Sequence, residues 1–230
     1  MIKASTPSNR YTWVLRAAII AAGLAAWFWT QSLISKRGFP EGVIGDNLHA
    51  LTAPLNQYLL HHASLTNALL IVSSGFIDLF AIFLLLRAIF GPTIRPFLGL
   101  FLLFALRQMC EALCALPQPA NMIWHYPGFP SLLVTYGVSN DFFFSGHTSV
   151  AVYGAFEISR LGRKWLTIAA IFIVLFEMIT VLTLRAHYTM DVFAAAATAL
   201  LIGILAEKIA PPIDRFLARF TARAEDSTFR

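Results

Sequence analysis

The chain has 230 residues, 58% of them hydrophobic and only 13% charged. Soluble domains carry about 25% charged residues, so a soluble globular fold is excluded and an all-α, polytopic membrane protein is expected. The net charge of +5 speaks for membrane topology rather than for a nucleic-acid partner, because the cations of membrane proteins collect on the cytoplasmic side.

About 20 apolar residues cross a bilayer, which leaves room for about six helices and their loops in a single membrane domain, 1–230. Residues 1–11 are polar and basic. A first span covers 12–34; it lacks a short apolar core followed by an A-x-A-like cleavage site and reads as a retained helix. Residues 35–64 hold Gly38, Pro40, Gly42, Gly45 and Pro54. Within them Leu48, Leu51, Leu55, Leu59 and Leu60 recur at helical spacing, which predicts an amphipathic surface helix. The N-terminal span and this amphipathic loop together cover 12–64. His49, His61, His62 and, further on, His125 show no partner pattern and read as loop or interface residues.

The second span covers 65–90 and is broken by Gly91-Pro92. The third covers 96–116. Its two cysteines, Cys110 and Cys114, suggest small core residues rather than a disulfide framework or a zinc site. Residues 117–140 form a long loop rich in proline and glycine. The fourth span covers 142–161, with Asp141 placed to cap it. The fifth covers 165–184 and the sixth 189–209. Pro211-Pro212 end the sixth, and a short basic amphipathic tail follows. A catalytic core is expected over about 95–210.

Of the 17 basic residues, Lys36, Arg37, Arg107 and Arg185 stand apart. The others gather at the two termini, the 2–3 turn and the 4–5 turn. Both termini are therefore expected in the cytoplasm, with loops 1–2, 3–4 and 5–6 outside. The compact length and short loops suggest a bacterial inner membrane.

Two motifs then fall on one membrane face. The first is Asp141-x3-Ser145-Gly146-His147-Thr148, at the start of the fourth span. Free backbone N–H groups at a helix N-terminus attract phosphate. Gly146 lets the backbone approach closely, Ser145 adds a hydroxyl, and His147 is placed to protonate a leaving alkoxide. The second is Arg185-x-His187-Tyr188-Thr189-x-Asp191. Positions i and i+4 share a helix face, so Asp191 can orient His187 as nucleophile or base; the other reading is a structural His–Asp pair capping the sixth helix. Arg185 keeps its charge and can only stabilise a phosphate or touch lipid headgroups. Arg107 and Glu111, also at i and i+4, are either a buried ion pair or a route by which Arg107 reaches the phosphate. Two imidazoles, a carboxylate and a Ser-Gly turn form a phosphoryl-transfer site that needs no metal and no cofactor.

These blocks resemble the signature motifs of the sphingomyelin synthases. With Arg185-x-His187 and Arg107…Leu116-Pro117 they are also similar to those of the plant phosphatidylcholine:diacylglycerol cholinephosphotransferases. Both are branches of the superfamily of type 2 phosphatidic-acid phosphatases, and the likeness covers about 105–205. It implies a six-transmembrane-helix bundle with the site at the non-cytoplasmic face, His187 as the nucleophile that becomes a phosphohistidine, Asp191 as its orienter and His147 as the acid. Ser145, Gly146, Arg185 and Arg107 would bind the phosphate, with Asp141, Thr148 and Tyr188 in supporting positions. The partners implied are membrane lipids, a glycerophospholipid as donor of phosphocholine or phosphoethanolamine and a lipid hydroxyl (diacylglycerol or ceramide) as acceptor; a homo-oligomer is compatible with such a bundle. The phosphatases' Lys-x6-Arg-Pro pattern is reduced here to Arg95-Pro96, on the opposite face. Arg185 stands two residues before His187, whereas the phosphatases place more between. Both departures favour transfer to a lipid over the alternative, a lipid phosphatase acting on phosphatidate or an isoprenoid diphosphate.

Overall fold

A computed structural model describes residues 10–36, 44–137 and 141–228, and the side chains of all of these except 10, 34 and 221–228. The polar stretch before residue 10, the loop residues Arg37, Gly38, Pro40 and Gly42, and the side chain of Arg223 lie outside that description. Among the described residues the regular structure is entirely helical: α1 (Arg10–Ile34), α2 (Asn47–Leu51), α3 (Ala53–Leu60), α4 (Ala63–Phe90), α5 (Arg95–Leu113), α6 (Gly146–Ser159), α7 (Lys164–Thr183) and α8 (Thr189–Thr228).

Five helices, α1, α4, α5, α7 and α8, are long and apolar enough to cross a membrane. The expected fourth span is shorter than its sequence pattern. α6 starts at Gly146, not 142, because Ser145 is the N-cap and its Oγ accepts the Thr148 N–H at 3.3 Å. Asp141 lies ahead of the helix and does not cap it. At about 1.5 Å per residue, 14 residues give a rod of about 21 Å, less than the ~30 Å hydrocarbon layer.

α6 is nonetheless the axis of the bundle. Val150, Ala151 and Tyr153 are buried against Phe80 and Leu84 of α4, Leu100 and Leu103 of α5, and Ala195 and Ala199 of α8. Close approach depends on two glycines. A Cβ on Gly154 would come within 2.6 Å of the Phe80 ring, and one on Gly99 would overlap the Tyr153 ring.

α8 runs straight through Pro211 and Pro212, where the sequence predicts an end. The prolines remove two backbone donors, but the turns beyond them are held from outside. Asp214 accepts hydrogen bonds from Thr93 Oγ1 (2.5 Å) and the Ile94 N–H (2.8 Å) and faces Arg16 at 3.7 Å. Leu217 is buried with Ile20, Ala88 and Phe97.

The loop before α6 also departs from a surface loop. Asp78, deep in α4, accepts from Ser131 Oγ (3.0 Å), the Leu132 N–H (2.8 Å) and the Leu133 N–H (3.1 Å). Asp78 lies about 22 Å along α4 from Ala63, so the loop descends into the bundle and returns. Irregular backbone is tolerated at that depth only where it is buried in protein or lines a cavity. Trp124 Nε1 donates to the Thr135 carbonyl at 3.2 Å and ties the two limbs together. Cys110 is half-buried in α5 and Cys114 is exposed just past its end; neither is bonded to the other, and only Cys110 fits the expected core position.

Candidate active site

The starts of α6 and α8, the ends of α5 and α7, and the far end of α1 meet at one end of the bundle. The Ser145 N–H donates to the Asp191 carbonyl at 3.3 Å, joining the two motif-bearing helices backbone to backbone. Between them opens a cavity lined among others by His147, His187, Arg107, Asp141, Gly146, Trp124 and Gln31.

His187 sits in the α7–α8 turn. Its Nδ1 lies 2.9 Å from the Phe142 carbonyl. A carbonyl only accepts, so Nδ1 carries the proton and Nε2 is left with its lone pair. The Asp191 carboxylate stands 3.8 Å from the same Nδ1, too far for a hydrogen bond. Sequence spacing assigned the orienting hydrogen bond to Asp191; the Phe142 carbonyl makes it. Asp191 Oδ2 instead accepts the Tyr188 N–H at 2.8 Å. That is the reach of an N3 carboxylate back to the N-cap. Asp191 thus caps the start of α8 while its carboxylate stands beside the His187 ring.

His147 projects from the first turn of α6. Its ring meets Trp124 edge to face, 5.1 Å between centroids, and its Nε2 is buried without a hydrogen-bond partner among the described residues. Gly146 lies close to Arg107; a Cβ there would be 3.5 Å from the guanidinium Nε.

Arg107 forms the expected ion pair with Glu111 at 2.7 Å and also borders the cavity. Its Nε donates to the Phe144 carbonyl at 2.7 Å and its Nη2 to the Asp141 carbonyl at 2.6 Å. It thus clamps the segment that carries the Phe142 carbonyl to His187. Asp141 faces the same guanidinium at 3.5 Å and accepts from Gln31 at 3.4 Å.

Ser145, Thr148, Tyr188 and Arg185 stand outside the cavity lining. Ser145 caps α6. Tyr188 donates its hydroxyl to the Pro117 carbonyl at 3.0 Å. Arg185, at a positive φ of 55°, points its guanidinium to the Ala120 carbonyl (2.8 Å) and the His49 carbonyl (3.4 Å). Arg95 pairs with Glu157 at 2.7 Å, at the far end of α6 from His147. Among the described residues no three His, Cys, Asp or Glu side chains gather at metal-binding spacing.

Of the five patterned leucines, Leu48, Leu51, Leu55 and Leu60 are exposed and Leu59 is buried, and the buried side chains of α2 and α3 also include His49 and Asn56. These polar groups strap the α7–α8 turn. His49 Nε2 donates to the His187 carbonyl at 2.9 Å, and Asn56 donates to the Thr183 carbonyl at 2.9 Å. Asp46 accepts from the Thr189 N–H (2.6 Å) and its hydroxyl (2.7 Å). Burial acts to raise the Asp46 pKa, but these bonds and the nearby His49 outweigh it and hold the carboxyl below its ordinary value. Burial raises the Tyr188 phenol, and Asp191 and Asp46 add to that rise. His49, read as a loop residue, is therefore part of the site's frame.

The sequence model of the AtPDCT1/2 family matches residues 46–208. The chain belongs to the AtPDCT1/2 family. The match begins at Asp46 of the strap and takes in the re-entrant loop and both histidine motifs. All of α1, which supplies Gln31 and Trp27 to the cavity, precedes it. The chain is 25% identical over 202 residues to phosphatidylcholine:diacylglycerol cholinephosphotransferase 1 of Arabidopsis thaliana, covering 86% of this chain and 64% of that relative. It thus spans just under two thirds of the length of the relative. No solved structure matches the chain.

Sequence reasoning missed Asp46, Asp78 and Trp124. Asp78 had a legible signal: it is the sole acidic residue in α4, and a carboxylate within an apolar span needs a partner. Asp46 stands just ahead of a helical leucine pattern, an N-cap position. Trp124 offered no signal beyond its place in the proline-rich loop.

Proposed function

We propose that the protein is a membrane phosphotransferase that moves the phosphocholine headgroup of phosphatidylcholine to the hydroxyl of diacylglycerol. The observation that carries this reading is the His187 ring: its Nδ1–H is committed to the Phe142 carbonyl at 2.9 Å, which leaves Nε2 as a nucleophile in a cavity shared with His147. The name of the Arabidopsis relative supports the choice of donor and acceptor. The relation to the type 2 phosphatidic-acid phosphatases belongs to the same proposal.

His187 Nε2 attacks phosphorus and forms an N–P bond as the P–O bond to the glycerol breaks. The leaving alkoxide takes a proton from His147. The ring gains positive charge, and the Asp191 carboxylate 3.8 Å from Nδ1 stabilises it. The acceptor hydroxyl then gives its proton to His147, its oxygen attacks phosphorus, and the N–P bond breaks to restore His187. Arg107 lends positive charge beside Gly146 while it holds the Phe142 segment in place.

We also propose that α6, with its extended lead-in from Asp141, is the sixth crossing of the bundle. Of the described basic residues, Arg16, Arg87, Arg95, Arg160, Arg163, Lys164, Lys208, Arg215 and Arg219 fall at the end of the bundle opposite His147. That asymmetry supports a site at the non-cytoplasmic face, with His147 set below that surface by the shortness of α6.

The test is product analysis. Purified protein with headgroup-labelled phosphatidylcholine and a diacylglycerol of distinct chain composition is expected to yield label in a new phosphatidylcholine. Label appearing only as free phosphocholine would replace transfer with hydrolysis.

A further inference from the structure

The catalytic cavity has an apolar continuation. A second, shallow groove runs between α1 and α5, walled by Gly23 and Leu24 on one side and Phe97, Leu100 and Phe101 on the other. Every residue that lines it is apolar or glycine. Trp27 and Phe104 belong to both spaces. Their rings stack at 4.2 Å and 26° and form the threshold between them.

Helical periodicity makes the two spaces collinear. On α1 the same face carries Gln31 in the cavity, Trp27 at the threshold and Leu24 and Gly23 in the groove. On α5 it carries Arg107, then Phe104, then Leu100 and Phe97. The stretch from Gln31 to Gly23 covers about 12 Å of helix axis at ~1.5 Å per residue. The polar end holds the two histidines and Arg107, and the apolar end points toward the middle of the bundle. This is the polarity of a phospholipid standing in a bilayer leaflet. α1 leaves the seam open to the side, since Leu24 is only partly buried and Phe101 is 45% exposed.

We propose that the α1–α5 groove holds one acyl chain of the phospholipid whose phosphate sits between His147 and His187, and that this lipid enters sideways past Phe101. The proposal rests on the transferase reading for the identity of the lipid, and on the groove alone for the place of its chain. α1 is then a wall of the substrate site rather than an anchor added to it.

The probe is phosphatidylcholine with a photoactivatable diazirine midway along one acyl chain, reconstituted with the full chain in nanodiscs. Crosslinks are expected to concentrate on the α1 and α5 peptides containing Leu24 and Phe101 and to fall when Leu24→Trp fills the groove. Equal labelling at the lipid-facing Phe172 and Phe193 would show bulk lipid only and overturn the proposal. A second arm compares transfer from long-chain and short-chain phosphatidylcholine. Leu24→Trp is expected to slow the long-chain donor about tenfold and the short-chain donor far less, while Phe172→Ala, on the exposed face of α7 away from the groove, keeps both rates. Equal slowing of both donors by Leu24→Trp would count against the groove and leave the transferase reading intact. Crosslinks in the groove of a protein that transfers from neither donor would keep the groove and end the transferase reading.

Discussion

At the scale of single residues, the site is decided by which atom each ring nitrogen faces. His187 Nδ1 faces a backbone carbonyl, and the carboxylate four residues on stands a little farther off. The sequence spacing anticipated that His187 and Asp191 would stand together and that His147 would share a cavity with His187, but could not reveal a backbone acceptor, because any residue at position 142 supplies a carbonyl. The carbonyl's position depends on Arg107, whose fork grips the same segment at Asp141 and Phe144. Removal of a well-placed acid–base group costs about 10²–10⁴ in rate. His147→Ala is therefore expected to cut transfer by that amount while the protein keeps its melting temperature in detergent. Transfer within tenfold of wild type would remove His147 from the acid role. Asp191→Asn keeps an acceptor for the Tyr188 N–H and loses the charge. Its effect should fall on kcat, read from initial rates, more than on folding.

At the scale of elements, α2 and α3 change meaning between sequence and structure. The leucine spacing is legible and the helices form where it predicts. What the spacing cannot show is which face turns inward. Here four of the five leucines lie outward, Leu59 joins the core beside Leu70 and Leu184, and His49 and Asn56 turn to the α7–α8 backbone. We infer that these are positioning residues for His187. His49→Ala is expected to lower kcat with KM little changed and to shift the pH profile of kcat. A melting temperature lowered with kcat and the pH profile unaltered would make His49 merely structural.

The Asp46 bond to Thr189 carries its own pH signature. Its folded pKa lies below the unfolded value, so its contribution to stability is complete above the unfolded pKa of about 3.9 and is lost as pH falls through the folded one. The melting-temperature gap between wild type and Asp46→Ala is thus expected to be constant from neutral pH down to about 5 and to close in stronger acid. A gap that closes at neutral pH would contradict the lock.

At the scale of the whole molecule, hydropathy made the helices visible and turn residues marked most of their ends. It failed where tertiary contacts override local rules. α8 continues through two prolines because Asp214 and Leu217 are held by α1, the end of α4 and the α4–α5 turn. The proline-rich loop sinks into the bundle because Asp78 waits for it. α6 reads as a full span because Phe142, Phe143 and Phe144 extend its apolar run, but Ser145 starts the helix later. The packing around α6 yields a plain test. Gly154→Ala drives a methyl into the Phe80 ring, and overpacking of this kind costs about 1–3 kcal/mol. Thermal unfolding in detergent should report that loss, and an unchanged midpoint would mean that α4 and α6 are not in such close contact.

The central claim is that His187 itself carries the headgroup between the two lipids. Purified protein incubated with phosphatidylcholine labelled in its phosphocholine, without acceptor, and quenched in alkali, which spares the N–P bond, tests it directly by peptide mapping. Label on the peptide containing His187, absent in His187→Ala and discharged on adding diacylglycerol, is the expected result. Transfer at full rate by His187→Ala, or label on a different side chain, would contradict it.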